Sequence, residues 1–307
     1  MQIKKVLAVF ICTLSFTVST KVFAQSQVKS AAEGAANSAI SKATSAGTAI
    51  TKDFLSTLFP TVEVGVSSGL SNSLTGGILV VAPLSDPKNI YNTVFMQGSF
   101  FINHDDVYRK TINIGIGDRI LTMDKKLLLG ANVFYDQEFP YDHKRGSIGL
   151  EARSSVGELN ANKYYRLSTW NGGYNGIQEK ALSGQDIELG VPLPYMNWAK
   201  VYAKRFKHEA AGTSPDIKGD DLSLRANLPF GLSVEGGRRN YSNNGISDEN
   251  FVRLTWNSNP PTDEKPLTIS NEAYTLTSME THRYDKVRRE NIIQKQKNTG
   301  QFKVTGF

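Results

Sequence analysis

The sequence predicts an all-β chain, a 12-stranded antiparallel transmembrane β-barrel, preceded by an N-terminal periplasmic helix and followed by a C-terminal linker. Three observations predict it. An export signal opens the chain. A period-two alternation of apolar and polar residues recurs in twelve segments. The connections between those segments alternate between short and long.

The export signal comes first. MQIKK carries two lysines, VLAVFICTLSFTV is an apolar core, and Val22 and Ala24 are the small residues of a cleavage site, placed after Ala24. Residues 1–24 therefore read as a secretory signal peptide. Cys12, the single cysteine, lies in its apolar core, and the preceding AVFI lacks the small-residue pattern of a lipoprotein site. The mature chain has no thiol nucleophile and no disulfide, so a closed hydrogen-bonded framework must stabilise it. Of 307 residues 39% are hydrophobic, and no stretch beyond the signal approaches the roughly 20 apolar residues of a membrane helix. The net charge of +6 is spread along the chain with acids between the bases. No continuous basic face forms, which argues against nucleic acid as a partner.

Residues 25–60 are an Ala/Ser-rich leader. Phe54, Leu55 and Leu58 gather at its end before Pro60, which predicts a weakly amphipathic periplasmic helix, with a flexible leader as the competing reading. From Val62 the period becomes two. Ile112, Ile114 and Ile116 oppose Asn113, Gly115, Gly117 and Arg119. Ile148, Leu150 and Ala152 oppose Gly149, Glu151 and Arg153. Ile187, Leu189 and Val191 oppose Glu188 and Gly190. The same pattern places strands at about 62–68, 74–84, 92–102, 111–121, 127–136, 145–155, 158–168, 186–194, 198–207, 220–228, 231–239 and 249–258. Most have the length that crosses a bilayer as a tilted strand, and an even count suits a bacterial outer-membrane barrel.

Alternation alone also fits a soluble sandwich, whose solvent face is polar. Two features favour the barrel over residues 61–258. The apolar face is Ile, Leu, Val and Ala on strand after strand, with Tyr165, Tyr195, Trp198 and Trp256 near the ends as a girdle. The connections MDKK, GE, YMN and PFG are short, with SDPKNIY the longest at that end, whereas EFPYDHK, TWNGGYNGIQEKALSGQ and KHEAAGTSPDIK at the other end are long, GLSNS being the one exception to the asymmetry of periplasmic turns and outer loops. In lipid every backbone N–H and C=O must be satisfied within the protein, which requires closure.

Residues 58–260 resemble the β-domain of the intimin/invasin family, the inverse autotransporters. The resemblance is carried by LTGGILVVAPL with NTVFMQGSF, by INIGIGDRIL followed by LLLGANVFYDQEF, and by RGSIGLEAR, LNANKYYRLS and SVEGGRRN in that order. Within the tail 259–307, the stretch 276–296 resembles the family linker, with its core at Arg283, Tyr284, Asp285, Val287, Arg289 and Asn291. The resemblance implies an outer-membrane location in a Gram-negative bacterium and a barrel of protein secretion related to cell adhesion. It implies a linker that passes through the lumen and delivers an immunoglobulin-like passenger. No such passenger follows the linker in this sequence. The expected function is anchoring and exporting a C-terminal segment through the lumen. The alternatives are export in trans of a separately encoded immunoglobulin-like partner, and a passive pore left after passenger loss. Class membership implies outer-membrane lipid, the barrel-assembly machinery and periplasmic chaperones as partners.

The residues show no catalytic constellation, so an enzyme is not expected, and no cofactor or metal is expected either. His104, His143, His208 and His282 fall in expected loops or the tail, and only His104 has carboxylates close in sequence. Strand parity turns Arg119, Glu151, Arg153, Arg166, Glu188, Lys200, Lys204, Arg225, Glu235 and Arg253 into the lumen. Facing lipid at the midplane, each base would cost about 2–4 kcal/mol. These groups either pair with one another or grip the linker. The run KVRRENIIQKQK is expected to sit against Glu151, Glu188 and Glu235, with a free periplasmic tail as the competing picture.

Overall fold

The structure, a computed structural model, describes residues 59–69, 74–104, 107–212, 214–242, 246–298 and 302–303. The expected signal peptide, and the leader apart from Phe59 and Pro60, lie outside the described residues. The described part belongs to one unit, Phe59–Phe307.

Seven strands run in sequence: β1 (Thr61–Gly69), β2 (Leu74–Pro83), β3 (Asn92–His104), β4 (Tyr108–Thr122), β5 (Leu127–Phe139), β6 (His143–Ser154) and β7 (Gly157–Arg166). A long connection then carries β8 (Asn171–Gly172) and β9 (Gln178–Ala181). The wall resumes with β10 (Ser183–Leu193), β11 (Met196–Glu209), β12 (Ile217–Asn227), β13 (Leu232–Tyr241) and β14 (Glu249–Asn257). The C-terminal segment contributes β15 (Lys295–Lys297) and β16 (Phe302–Lys303). β1–β7 and β10–β14 form one closed antiparallel barrel of twelve strands. Val64 of β1 faces both Ile78 of β2 and Trp256 of β14, which closes the ring. Closure leaves the wall no free edge.

The two faces of the wall differ as the alternation predicts. In β4, Ile114, Ile116 and Ile120 are exposed on the outside, while Arg109, Thr111, Asn113 and Arg119 are buried inside. Outside, Leu150 is 66% exposed and Leu222 58%. An apolar belt of this size is what lipid covers and water does not. Tyr165 and Tyr195 lie exposed at opposite ends of the belt. Trp198 departs from the expected girdle. It shares the face of Lys200 and Tyr202 and donates Nε1–H to the Thr268 carbonyl at 2.8 Å.

The strands reach further than the alternation shows. β4 begins at Tyr108 and β5 ends at Phe139, which brings Arg109 and Glu138 into the wall. The histidines also differ from expectation. His143 starts β6, His208 lies in β11, and both are buried.

The outward face generates a stability prediction. Ile116→Lys should lower unfolding free energy in lipid by about 2–4 kcal/mol. Equilibrium unfolding in vesicles measures it, and the compact unboiled gel form should weaken. An unchanged stability would mean that Ile116 does not face lipid.

Candidate functional site

The lumen is a polar tube occupied by the C-terminal segment. After β14 the chain crosses the short-turn mouth. The Ser270 N–H donates to the Tyr195 carbonyl at 2.8 Å and the Met279 N–H to the Lys125 carbonyl at 2.7 Å. From Arg283 the chain runs inside the barrel. At the long-loop mouth it emerges as β15, whose Lys295 faces Ala181 of β9. β8, β9, β15 and β16 form a small sheet at that mouth.

The wall holds the linker by its main chain. Arg119 Nη1 donates to the carbonyls of Arg283 at 2.9 Å and Asp285 at 2.6 Å. Arg153 Nη2 donates to the Lys286 carbonyl at 3.0 Å. Arg145 donates to the carbonyls of Glu290 at 2.6 Å and Ile292 at 3.3 Å. Asn162 and Asn113 serve the carbonyls of Arg288 and Asn291 at 3.1 and 2.9 Å. Thr61 serves that of Tyr284 at 2.7 Å. In return the Val287 N–H donates to Gln97 Oε1 and the Glu290 N–H to the Tyr164 hydroxyl, both at 2.8 Å. An extended chain leaves these groups unpaired, and the wall replaces a neighbouring strand with side chains.

A second set of contacts reads the linker's side chains. Arg289 donates to both Asp136 oxygens at 2.9 and 2.7 Å and to Ser147 at 3.0 Å. Its guanidinium lies 4.3 Å from the Phe134 ring centroid. Arg288 pairs with Glu188, lies 3.6 Å from Glu235, and stacks 3.7 Å over Tyr202. Lys286 pairs with Glu63, and Lys295 with Glu138. Val287 and Tyr284 pack into a small apolar cluster of Leu79, Val81, Phe95 and Phe134. The glycines of β4 make room for those rings. A Cβ on Gly115 would stand 2.3 Å from Phe134, and one on Gly117 2.4 Å from Phe95.

Charge pairs close both mouths. At the short-turn end, His282 Nδ1 lies 2.8 Å from Asp285 Oδ2 and Nε2 lies 3.1 Å from Asp263 Oδ1. Burial opposes charge on His282, but the Asp285 and Asp263 carboxylates outweigh it and raise its pKa to about 10. At the long-loop end, Arg109 bridges Glu138 and Glu179 of β9, each at 2.9 Å. His143 lies 3.4 Å from Glu179.

The parity-assigned residues divide into four groups. Arg119, Arg153 and Glu188 touch the linker directly, and Glu235 and Lys204 come within 3.6 and 3.7 Å of Arg288 and Glu290. Glu151 does not meet the linker's bases. It pairs with Arg119 at 2.6 Å and Arg153 at 2.8 Å, orienting both toward the linker carbonyls. Lys200 pairs with Glu264 at 2.8 Å, Arg225 bonds Asn227 and Ser233, and Arg253 pairs with Glu235. Arg166 stands apart, exposed at the long-loop end of β7.

Sequence parity could also have found Glu63, Asp136 and Arg145, which lie on the inward face of their expected strands. Arg109 and Glu138 lay beyond the expected strand ends. The carboxylates on His282 come from positions that sequence spacing does not join. All six linker-core residues engage the barrel or its mouth turns. Arg283 reaches the Pro87 and Asn89 carbonyls at 3.4 and 3.3 Å, and the Asp285 carboxylate lies 3.8 Å from Arg153.

The inverse autotransporter beta-domain family matches residues 15–291. Intimin of Citrobacter freundii is 33% identical over 140 residues, 44% of this chain and 14% of that protein. The inverse autotransporter adhesin YeeJ of Escherichia coli K12 is 28% identical over 196 residues, 60% of this chain and 8% of that protein. The matches thus span a small part of these relatives' own lengths. A solved structure, from work on the mechanism behind in-meso crystallization of membrane proteins, shares the fold. Its TM-score is 0.63 at 23% identity, covering 78% of this chain and 99% of that one.

Two predictions follow from the geometry. Asp136 is fully buried between Arg145 and Arg289. Asp136→Asn should destabilise by about 3–5 kcal/mol, because two buried guanidinium groups lose their counter-charge. Denaturant unfolding in micelles measures it, and Arg289→Gln in the same background should cost less than in the wild type. The second concerns pH. His282 has its pKa raised, so its stabilisation is complete below about 6.5. That contribution is lost as pH rises through about 10. A spin label on Thr281 should gain mobility over that range, and His282→Gln should show high mobility throughout.

Proposed function

Since the chain belongs to the inverse autotransporter β-domain family, an outer-membrane barrel class of Gram-negative bacteria, we propose that its barrel exports a C-terminal segment through the lumen. The linker then stays behind as anchor and plug. The observation that carries this reading is the single crossing of the linker, from the short turns to β15 at the long loops.

Two kinds of contact divide the work. Arg119, Arg145, Arg153, Asn113 and Asn162 donate to backbone carbonyls, which every polypeptide carries. A moving chain can exchange one carbonyl for the next on these donors. Each hydrogen bond from a charged donor is worth roughly 1.5–3 kcal/mol, and the next register offers the same bonds. Glu63, Glu188 and Asp136 instead select Lys286, Arg288 and Arg289, and Glu138 selects Lys295. All four pairs form in one register only. Movement therefore stops there, with Lys297 and Asn298 on the outer side. Adhesion, the role in YeeJ's name, is the use we assign to the displayed chain.

The single cysteine at position 12 lies in the expected signal peptide, which makes cysteine labelling clean. On intact cells Asn298→Cys should react with a membrane-impermeant maleimide, and Thr281→Cys should not. The reverse pattern sinks the proposal. Deleting residues 262–307 should raise single-channel conductance, and an unchanged conductance would rule out the plug.

A further inference from the structure

The outer wall of the barrel carries a feature that the linker does not explain. Lys163 of β7, Gln185 of β10, Lys207 of β11 and Lys218 of β12 are consecutive cross-strand partners. Neighbouring strands lie roughly 4.8 Å apart, so the three lysines form one row across four strands. All point outward, as does Arg205, whose side chain is 78% exposed. On a lipid-facing wall such cations are costly at the midplane and nearly free near the interface. They therefore mark the headgroup level. The row lies near the long-loop end, three residues or fewer from the ends of β7, β11 and β12.

Beneath the row is a concavity of about 970 Å³. Within it Ala161 is the small residue, with Leu150 and Ile187 standing on either side as its cross-strand partners. The same concavity reaches Lys163, Arg205, Lys207 and Lys218. Acids stand among the bases. Lys163 pairs with Glu209 at 2.9 Å, Arg205 with Asp220 at 2.7 Å and Lys207 with Asp216 at 2.8 Å. Arg205 stands one step below the row, beside Ile187, and four bases against three acids leave the patch cationic. An apolar trough ending under fixed cations fits an acyl chain joined to an anionic headgroup.

We propose that this concavity is a binding site for a phosphorylated acyl glycolipid of the outer leaflet. The acyl chain lies over Ala161 between Leu150 and Ile187, and a phosphate sits on the row of Lys163, Lys207 and Lys218. Guanidinium and ammonium groups bind phosphate through charge-assisted hydrogen bonds. The long-loop end faces the outer leaflet in an outer-membrane barrel, which selects that leaflet's lipid over the periplasmic one. The inference rests on the outer-membrane location and is independent of export.

Native mass spectrometry of the full chain in detergent tests it, with bis-phosphorylated lipid A, the dephosphorylated lipid and phosphatidylethanolamine as probes. The wild type should retain lipid A and lose at least about tenfold in affinity when the phosphates are removed. The triple variant K163Q/K207Q/K218Q should lose about as much, whereas Arg238→Gln, on the outer face of β13, should change nothing. Equal retention of the three lipids by the wild type overturns the site, whatever the variants do. So does full lipid A affinity in the triple variant. The heat-modified gel shift verifies that each variant is folded.

Discussion

The hold of Asp136 and Phe134 on Arg289 is the contact around which the lumen is organised. A guanidinium inside a barrel needs a counter-charge, and Asp136 supplies both oxygens. It also needs a flat surface, and Phe134 supplies the ring. That ring can lie against the wall because Gly115 on β4 has no Cβ. Gly117 gives Phe95 the same room, and Arg119 stacks 4.4 Å over it. With Arg289 seated there, the linker reaches the long-loop mouth, where β15 pairs with β9.

The wall itself answers two solvents at once. Its outside must satisfy lipid, so Ile, Leu and Val face outward. Its inside must satisfy a chain without neighbouring strands, so the inward positions are donors and carboxylates. Glu151 illustrates the second demand. It meets no base of the linker, yet by pairing with Arg119 and Arg153 it aims both at linker carbonyls. Removing a positioning carboxylate of this kind would free two guanidinium groups rather than one contact.

The mouths use longer-range pairings. Asp263 and Asp285 meet on His282, and Glu179 of β9 descends onto Arg109. Each joins segments far apart in sequence, and each sits where the linker enters or leaves. The linker is thereby held at both ends as well as along its length.

The sequence by itself determined the strands, their number and which face of each meets lipid, because a strand's side chains alternate with a period of two. It also contained the pattern of Gly115, Phe134 and Asp136, and a basic segment suited to a polar lumen. Only the tertiary structure decided which carboxylate meets which base. Glu151, Glu188 and Glu235 share one inward face in the sequence, yet only Glu188 pairs directly with a linker base, while Glu235 divides between Arg253 and Arg288. The choice depends on strand stagger around a closed ring and on the height at which the linker sits. Neither is encoded by alternation within any one strand.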